Sequence, residues 1–289
     1  MSVKRAEIIA YLNEMAPENI AESWDNSGLL LGAFNEDISK IVICLDVTGQ
    51  VVDEACRIGA DLIIAHHPLL FSPIKRIDTE TTMGTVLFKL IQSNINVYCA
   101  HTNVDKTDCG LNDLLAGIIG LRECEALDAV SAASFQKDEY IFSQDREPKP
   151  YRIGEIPNLL SLRAFSEHVA STLKQDAIMV SDLTISGMND VQAKLIKRVA
   201  VMCGSYDIPM KELLENQVDA VVCGEIKHHQ VLELIALGIF VVSAGHHGTE
   251  RFFVHLIEKW LKEKYTELDI KYVGFESYPL QDLLYFEKR

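Results

Sequence analysis

The sequence predicts an α/β fold of two similar lobes, each a mainly parallel sheet flanked by helices. Three observations carry this. Short apolar runs alternate with helix-period stretches along most of the chain. The two halves can be laid over each other. Three of the apolar runs end in histidine, twice as His-x-x-x-carboxylate: NVYCAHTNVD holds His101 and Asp105, and FVVSAGHHGTE holds His246 and Glu250. The third, DLIIAHH, ends in His66 and His67. Open α/β sheets place ligand sites at strand ends, so a metal site is expected between the lobes, at these ends.

The elements follow in order. Ile8, Ile9, Leu12 and Met15 recur at helical spacing over 3–15, and Pro17 follows. The stretch ESWDNSGLLLG reads as a loop. Strands are predicted at 41–46, 61–65 and 96–100, and helices at 50–58 and 81–93. LNDLLAGIIG gives a short helix after Gly110. Residues 122–160 are the least patterned and read as a connector. A helix is expected at 161–174. The second half restarts with strand 197–204, helix 209–217, strand 219–224, helix 228–237, strand 240–244, helix 250–263 and strand 269–275. The domains expected are therefore 1–121, the connector 122–160, and 161–275, with 276–289 as a tail returning to the first lobe. No large inserted domain is expected.

The halves align at two offsets. A shift of 158 residues lays ADLIIAHH over VDAVVCGE, so His67 meets Glu225. A shift of 145 lays CAHTNVD over SAGHHGTE, so His101 meets His246 and Asp105 meets Glu250. The coincident His-x-x-x-acid spacing argues for duplication more strongly than the apolar strands do.

Composition narrows the function classes. A hydrophobic share of 48% supports a large core in a chain of 289 residues. The formal charge of −15 argues against nucleic acid and acidic membrane surfaces as partners. There is no apolar run long enough for a membrane span and no signal-peptide pattern. Seven cysteines with no CxxC pair read as reduced thiols of a cytoplasmic protein. GxxxxGK[ST], GxGxxG and GxSxG are all absent.

Imidazoles with carboxylates are the donor set of Zn, Fe, Mn, Co or Ni centres that bind water. A carboxylate can bridge two ions, and two cations need at least two acids, for which Asp105 and Glu250 are the natural choices. His66 and His67 precede Pro68, which keeps the backbone extended to the strand's end. His228 and His229 open a helix after Glu225, where an acid–base group could stand. Lys75, Arg76 and Arg251 are the cations nearest in sequence to these clusters.

Five blocks, WDNSGLLLG, AHHPLLF, AHTNVD, CGEIKHH and AGHHGTE, together resemble the Nif-three-like, or YbgI-type, family. Its members are commonly called GTP cyclohydrolase I type 2 homologues. The resemblance implies a dinuclear metal site in a toroidal homohexamer, a trimer of dimers. Carried over by position, the metal ligands fall on His66, His67, Asp105, His246 and Glu250, with Glu250 bridging two divalent ions per chain. His101 and His228 then fall to the pocket wall, with Glu225 as a further proton carrier. The match at CGSYDIPM is looser than the family's glycine-rich turn.

The reading favoured is a metal-dependent hydrolase acting on a small substrate, nucleotides included. The alternative is a metal-binding or regulatory ring without turnover. The GTP label is inherited, because the sequence shows no triphosphate grip.

Overall fold

A computed structural model of the chain describes residues 2–122, 124, 148–181 and 195–273. They fall into two compact units. One runs to Asn103 and resumes at Phe253; the other is Val104–Phe252.

The first unit opens with β1 (Val3–Lys4) and α1 (Arg5–Met15), followed by β2 (Gly28–Leu31) and β3 (Asp37–Ile38). Then come β4 (Lys40–Cys44), α2 (Gly49–Ile58), β5 (Leu62–Ala65), α3 (Thr82–Gln92) and β6 (Asn96–Cys99). After the second unit, α10 (Phe253–Lys264) and β12 (Asp269–Tyr272) return to it. The sheet order is β12-β4-β5-β6-β2, parallel except for the antiparallel edge strand β2. The strands β5 and β6 are buried throughout, because parallel sheets carry helices on their faces. Val52, Ala55, Leu87 and Leu90 from α2 and α3 pack with Val42, Ile63 and Val97 in one such core. Both helices start at a threonine: the Thr48 hydroxyl accepts from Val51 N–H, and that of Thr81 from Gly84 N–H.

The second unit takes in most of α4 (Thr102–Lys106), then α5 (Leu111–Ile119), β7 (Arg152–Ser161), α6 (Leu162–Thr172) and β8 (Met179–Val180). It continues with β9 (Leu195–Ser205), α7 (Met210–Glu215), β10 (Ala220–Glu225), α8 (His228–Ala236), β11 (Phe240–Ser243) and α9 (His246–Glu250). The order is β7-β9-β10-β11-β8, with a parallel centre and antiparallel strands at both edges.

The two sheets repeat each other in register. Ile41 pairs with Leu62 and Val199 with Ala220, both partners 158 residues on. The Asp61 carboxylate accepts the Ser39 and Lys40 N–H groups. Asp219, 158 residues on, accepts those of Lys197 and Arg198. Leu62 pairs with Asn96, and Ala220 with Phe240, an offset of 144 for the third strand. The aligned histidines stand 145 apart. The extra residue is Gly245, with φ of +83°, a backbone that favours glycine.

Several expectations are corrected. The stretch GLLL pairs as β2, and β7 occupies part of the expected connector. Both are edge strands, where Gly and Pro are tolerated and alternation is weak. Helix 250–263 is two helices, α9 and α10, with Arg251 and Phe252 between them. The last strand joins the first sheet through β4, whereas 161–275 was expected to form one lobe. Residues from Val104 belong to the second unit, not the first. The middle of the connector and the tail 276–289 lie outside the described residues.

One buried ion pair fastens the second unit. The five N–H groups of Arg152 meet both Asp113 carboxylate oxygens and the carbonyls of Thr107, Lys149 and Tyr151. Asp113→Ala leaves that buried guanidinium without its counter-charge. It is expected to cost about 3–5 kcal/mol, read as a lowered urea midpoint. Asp113→Leu with Arg152→Met should recover much of the loss.

Candidate metal centre

The first unit gathers three imidazoles. His66 follows β5, and its N–H continues the ladder to Cys44 O; His67 N–H continues it to Leu45 O. The extended backbone expected before Pro68 is therefore present. His101 follows β6. The ring centroids lie 5.0 Å (His66–His67), 5.2 Å (His66–His101) and 5.7 Å (His67–His101) apart. Each ring offers a nitrogen within 4.8 Å of the other two. Phe253 closes the back of His66 at 4.8 Å between centroids.

Each ring is held through Nδ1. His66 Nδ1 is 2.9 Å from Ala100 O, His67 Nδ1 is 2.8 Å from Asp46 Oδ1, and His101 Nδ1 is 2.8 Å from Asp25 Oδ1. A carbonyl only accepts, so the His66 proton is on Nδ1 and its Nε2 carries the lone pair. Carboxylates impose the same tautomer on His67 and His101. This is how metal-ligating histidines are aimed and made basic. Burial pushes the Asp25 carboxyl up, but hydrogen bonds from His101, Thr102 and Ser27 outweigh it and hold it well below the usual carboxylate range.

The second unit holds its own cluster. His246 and Glu250 open and close α9, one helical turn apart, with Nε2–Oε2 at 3.0 Å. The Glu250 residue is 3% exposed. His246 Nδ1 faces Glu225 Oε1 at 3.5 Å, and that oxygen accepts the Ser205 hydroxyl at 2.6 Å. The carboxylate and ring lie against Gly204, whose φ is +62°. A Cβ there would collide with Glu250 Oε1 and press on the His246 ring. This glycine keeps the space in which the two donors lie.

Asp105 lies on α4. Burial first, then the charges of Asp105 and Glu250, holds the Cys203 thiol well above its ordinary pKa. Both carboxylates therefore act on one thiol, next to Gly204. Asn112 fixes this corner. It is fully buried, its amide donates to Asp105 O at 3.0 Å and to Pro150 O at 2.9 Å, and its oxygen accepts from Cys203 N–H at 2.8 Å.

The other candidates are placed as follows. His101 stands with His66 and His67 rather than behind them. Glu225 stands on the Nδ1 side of His246. His228 and His229 are exposed at the start of α8. Lys75 and Arg76 are exposed. Arg251 donates to Leu173 O at 2.7 Å, which commits part of its guanidinium to the fold. Sequence reasoning missed Asp25, Asp46, Asn112 and Gly204. Asp46 gave a signal as the acid ending the strand beside DLIIAHH, and Asp25 lies within the block WDNSGLLLG.

The donors fit a divalent metal: imidazole nitrogens oriented from behind in both units, and buried carboxylate oxygen in the second. The Duf34/NIF3 (NGG1p interacting factor 3) family model matches residues 3–279, and the chain belongs to that family. A Clostridium acetobutylicum relative named GTP cyclohydrolase 1 type 2 homolog is 31% identical over 265 residues, 91% of either chain. A Campylobacter jejuni relative of the same name is 31% identical, covering 90% of this chain and 92% of its own. Among solved structures, a Bacillus cereus protein related to NIF3 superposes with a TM-score of 0.80 at 24% identity, over 96% of this chain and 98% of that one. Reduced HcgD from Methanocaldococcus jannaschii gives 0.73 at 27%, over 94% and 98%. Among the described residues, no helix is long and apolar enough to cross a membrane.

Gly204→Ala should displace the Glu250 carboxylate. The expected result is reduced metal bound per chain, by elemental analysis, with an unchanged far-ultraviolet circular dichroism spectrum.

Proposed function

We propose that this protein is a metal-dependent hydrolase. It holds two divalent ions per chain on His66, His67, Asp105, His246 and Glu250, and acts on a small substrate. The observation that supports this best is the backing of the imidazoles. His66, His67, His101 and His246 each have Nδ1 facing a carbonyl or carboxylate of the fold. A histidine that only packs needs no such acceptor set on one side of every ring.

Bound divalent ions would supply a water acidic enough to ionise near neutral pH, and would polarise the scissile group. The rest falls to the chain. Asp46 and Ala100 O keep His67 and His66 in the ligating tautomer, and Glu225 steadies His246. His101 moves the proton. Its Nδ1–H is anchored on Asp25, so its Nε2 is the basic nitrogen and can take a proton and return it to a leaving group. Asp25 stays ionised because three donors hold it, so it can stabilise the imidazolium that forms. His228 stands exposed and takes no part in this reading. A ring of six chains is the assembly proposed from the resemblance, to be read by light scattering.

The first test is metal content per chain, by elemental analysis of protein purified without a His tag or chelator. Close to two ions are expected, lost in His246→Ala and in Glu250→Gln. No metal after reconstitution with Fe, Mn and Zn would sink the reading. His101→Asn should keep the metal and lower turnover of a responsive substrate by about 100-fold or more. Loss of metal from that variant would make His101 a ligand instead.

A further inference from the structure

We infer that Thr249 is a positioning residue for the metal ligands of α9. Its hydroxyl pins the helix that carries His246 and Glu250 to a bulge at the end of β9. This deepens the hydrolase reading and rests on it for His246 and Glu250 as ligands.

The bulge is legible in the ladder. Met202 pairs with Cys223, and Ser205 with Glu225. Cys203 and Gly204 of β9 therefore stand against Gly224 alone. An extra residue of this kind takes backbone groups out of the ladder and re-aims the chain, often beside an active site. Gly204 supplies the left-handed backbone, with φ of +62°. Cys203 and Gly204 are buried, so their N–H groups need acceptors inside the protein.

Two fully buried side chains provide them. Cys203 N–H donates to Asn112 Oδ1 at 2.8 Å, and Gly204 N–H to Thr249 Oγ1 at 3.1 Å. The Thr249 hydroxyl donates in turn to His246 O at 2.9 Å. Donation to the carbonyl three residues back is common for a threonine in a helix. Acceptance from a strand outside the helix is a separate link, and here it joins the bulge to the residue before Glu250. The helix backbone lies directly on the bulge: a Cβ on Gly224 would stand 2.8 Å from His246 Cα and 2.9 Å from Thr249 Oγ1.

Apolar packing is non-directional and would leave α9 free to shift on this surface. A hydrogen bond weakens steeply away from its preferred line and fixes the contact. Metal ligands must meet their distances within about 0.2 Å, so a helix bearing two donors one turn apart gains from such a peg. Asn112 holds Cys203 N–H, Asp105 O and Pro150 O by itself. Removing the Thr249 hydroxyl therefore releases the helix and leaves the bulge in place.

The test uses the full chain, stripped of metal and titrated with cobalt(II) alone by calorimetry, with the visible absorption of the bound ion as a second readout. Thr249→Val keeps the branched shape and removes the hydroxyl, while Thr249→Ser keeps the hydroxyl. Thr249→Ala takes the place of the valine variant if the latter does not fold. Ser166→Ala is the control, since it removes a buried hydroxyl bonded to Leu162 O within α6. Thr249→Val is expected to weaken cobalt binding about 10- to 100-fold, the usual effect of losing a group that orients a ligand, and to shift the cobalt absorption bands. Thr249→Ser should recover most of the affinity and the wild-type bands, and Ser166→Ala should bind as wild type does. Wild-type affinity in Thr249→Val overturns the inference, as does an equal loss in Thr249→Ser and Ser166→Ala. Cobalt binding that depends on Thr249, in a protein with no metal-dependent turnover, sinks the hydrolase reading alone. A wild type that takes up no cobalt overturns both.

Discussion

The hydrogen bond between His66 Nδ1 and Ala100 O, 2.9 Å long and fully inside the first unit, is the contact around which the histidine cluster is ordered. It exists because β5 and β6 are parallel neighbours in fixed register. Ala65 pairs with Cys99, and Ala100 N–H carries the ladder on to Ala65 O. That register sets Ala100 O within reach of the His66 ring, with His101 next in the chain. A register slip of one residue would turn each histidine to the opposite face of its sheet. The buried apolar faces of β5 and β6 forbid that slip, so the core determines which nitrogen the cluster presents.

The second unit solves the same problem with different parts. Its third strand leads through Gly245 into α9, and the helical turn places His246 over Glu250. The added glycine turns the chain where the first unit simply continues into α4. The two halves thus share a sheet and a strand-end position but not the side chains that stand there. The first contributes imidazoles alone, while the second pairs an imidazole with a buried carboxylate. Divergence of this kind is expected when the copies of a duplicated scaffold keep the sheet and exchange the side chains at its strand ends.

Carboxylates do three separate jobs here. Asp61 and Asp219, just before β5 and β10, tie down the backbone of the neighbouring strands β4 and β9. Asp113 neutralises a buried guanidinium. Asp25, Asp46 and Glu225 stand behind imidazoles. None of these is distinguishable from a surface acid by residue type, and the excess of acids in the composition conceals them. What separates them is a neighbour remote in sequence: His101 for Asp25, His67 for Asp46, Arg152 for Asp113.

The sequence by itself determined the alternation of strands and helices, the repeat between halves, and the histidines and acids at strand ends. These rest on local periodicity and on spacing within a few residues. Only the tertiary structure decided the edge strands β2 and β7, the return of α10 and β12 to the first sheet, and the cradle at Gly204. It also decided which acids hold which rings, and that His101 joins His66 and His67. Those outcomes depend on hydrogen bonds and packing between segments distant along the chain. No local pattern encodes them, because the same residues would read alike whichever neighbour the fold supplied.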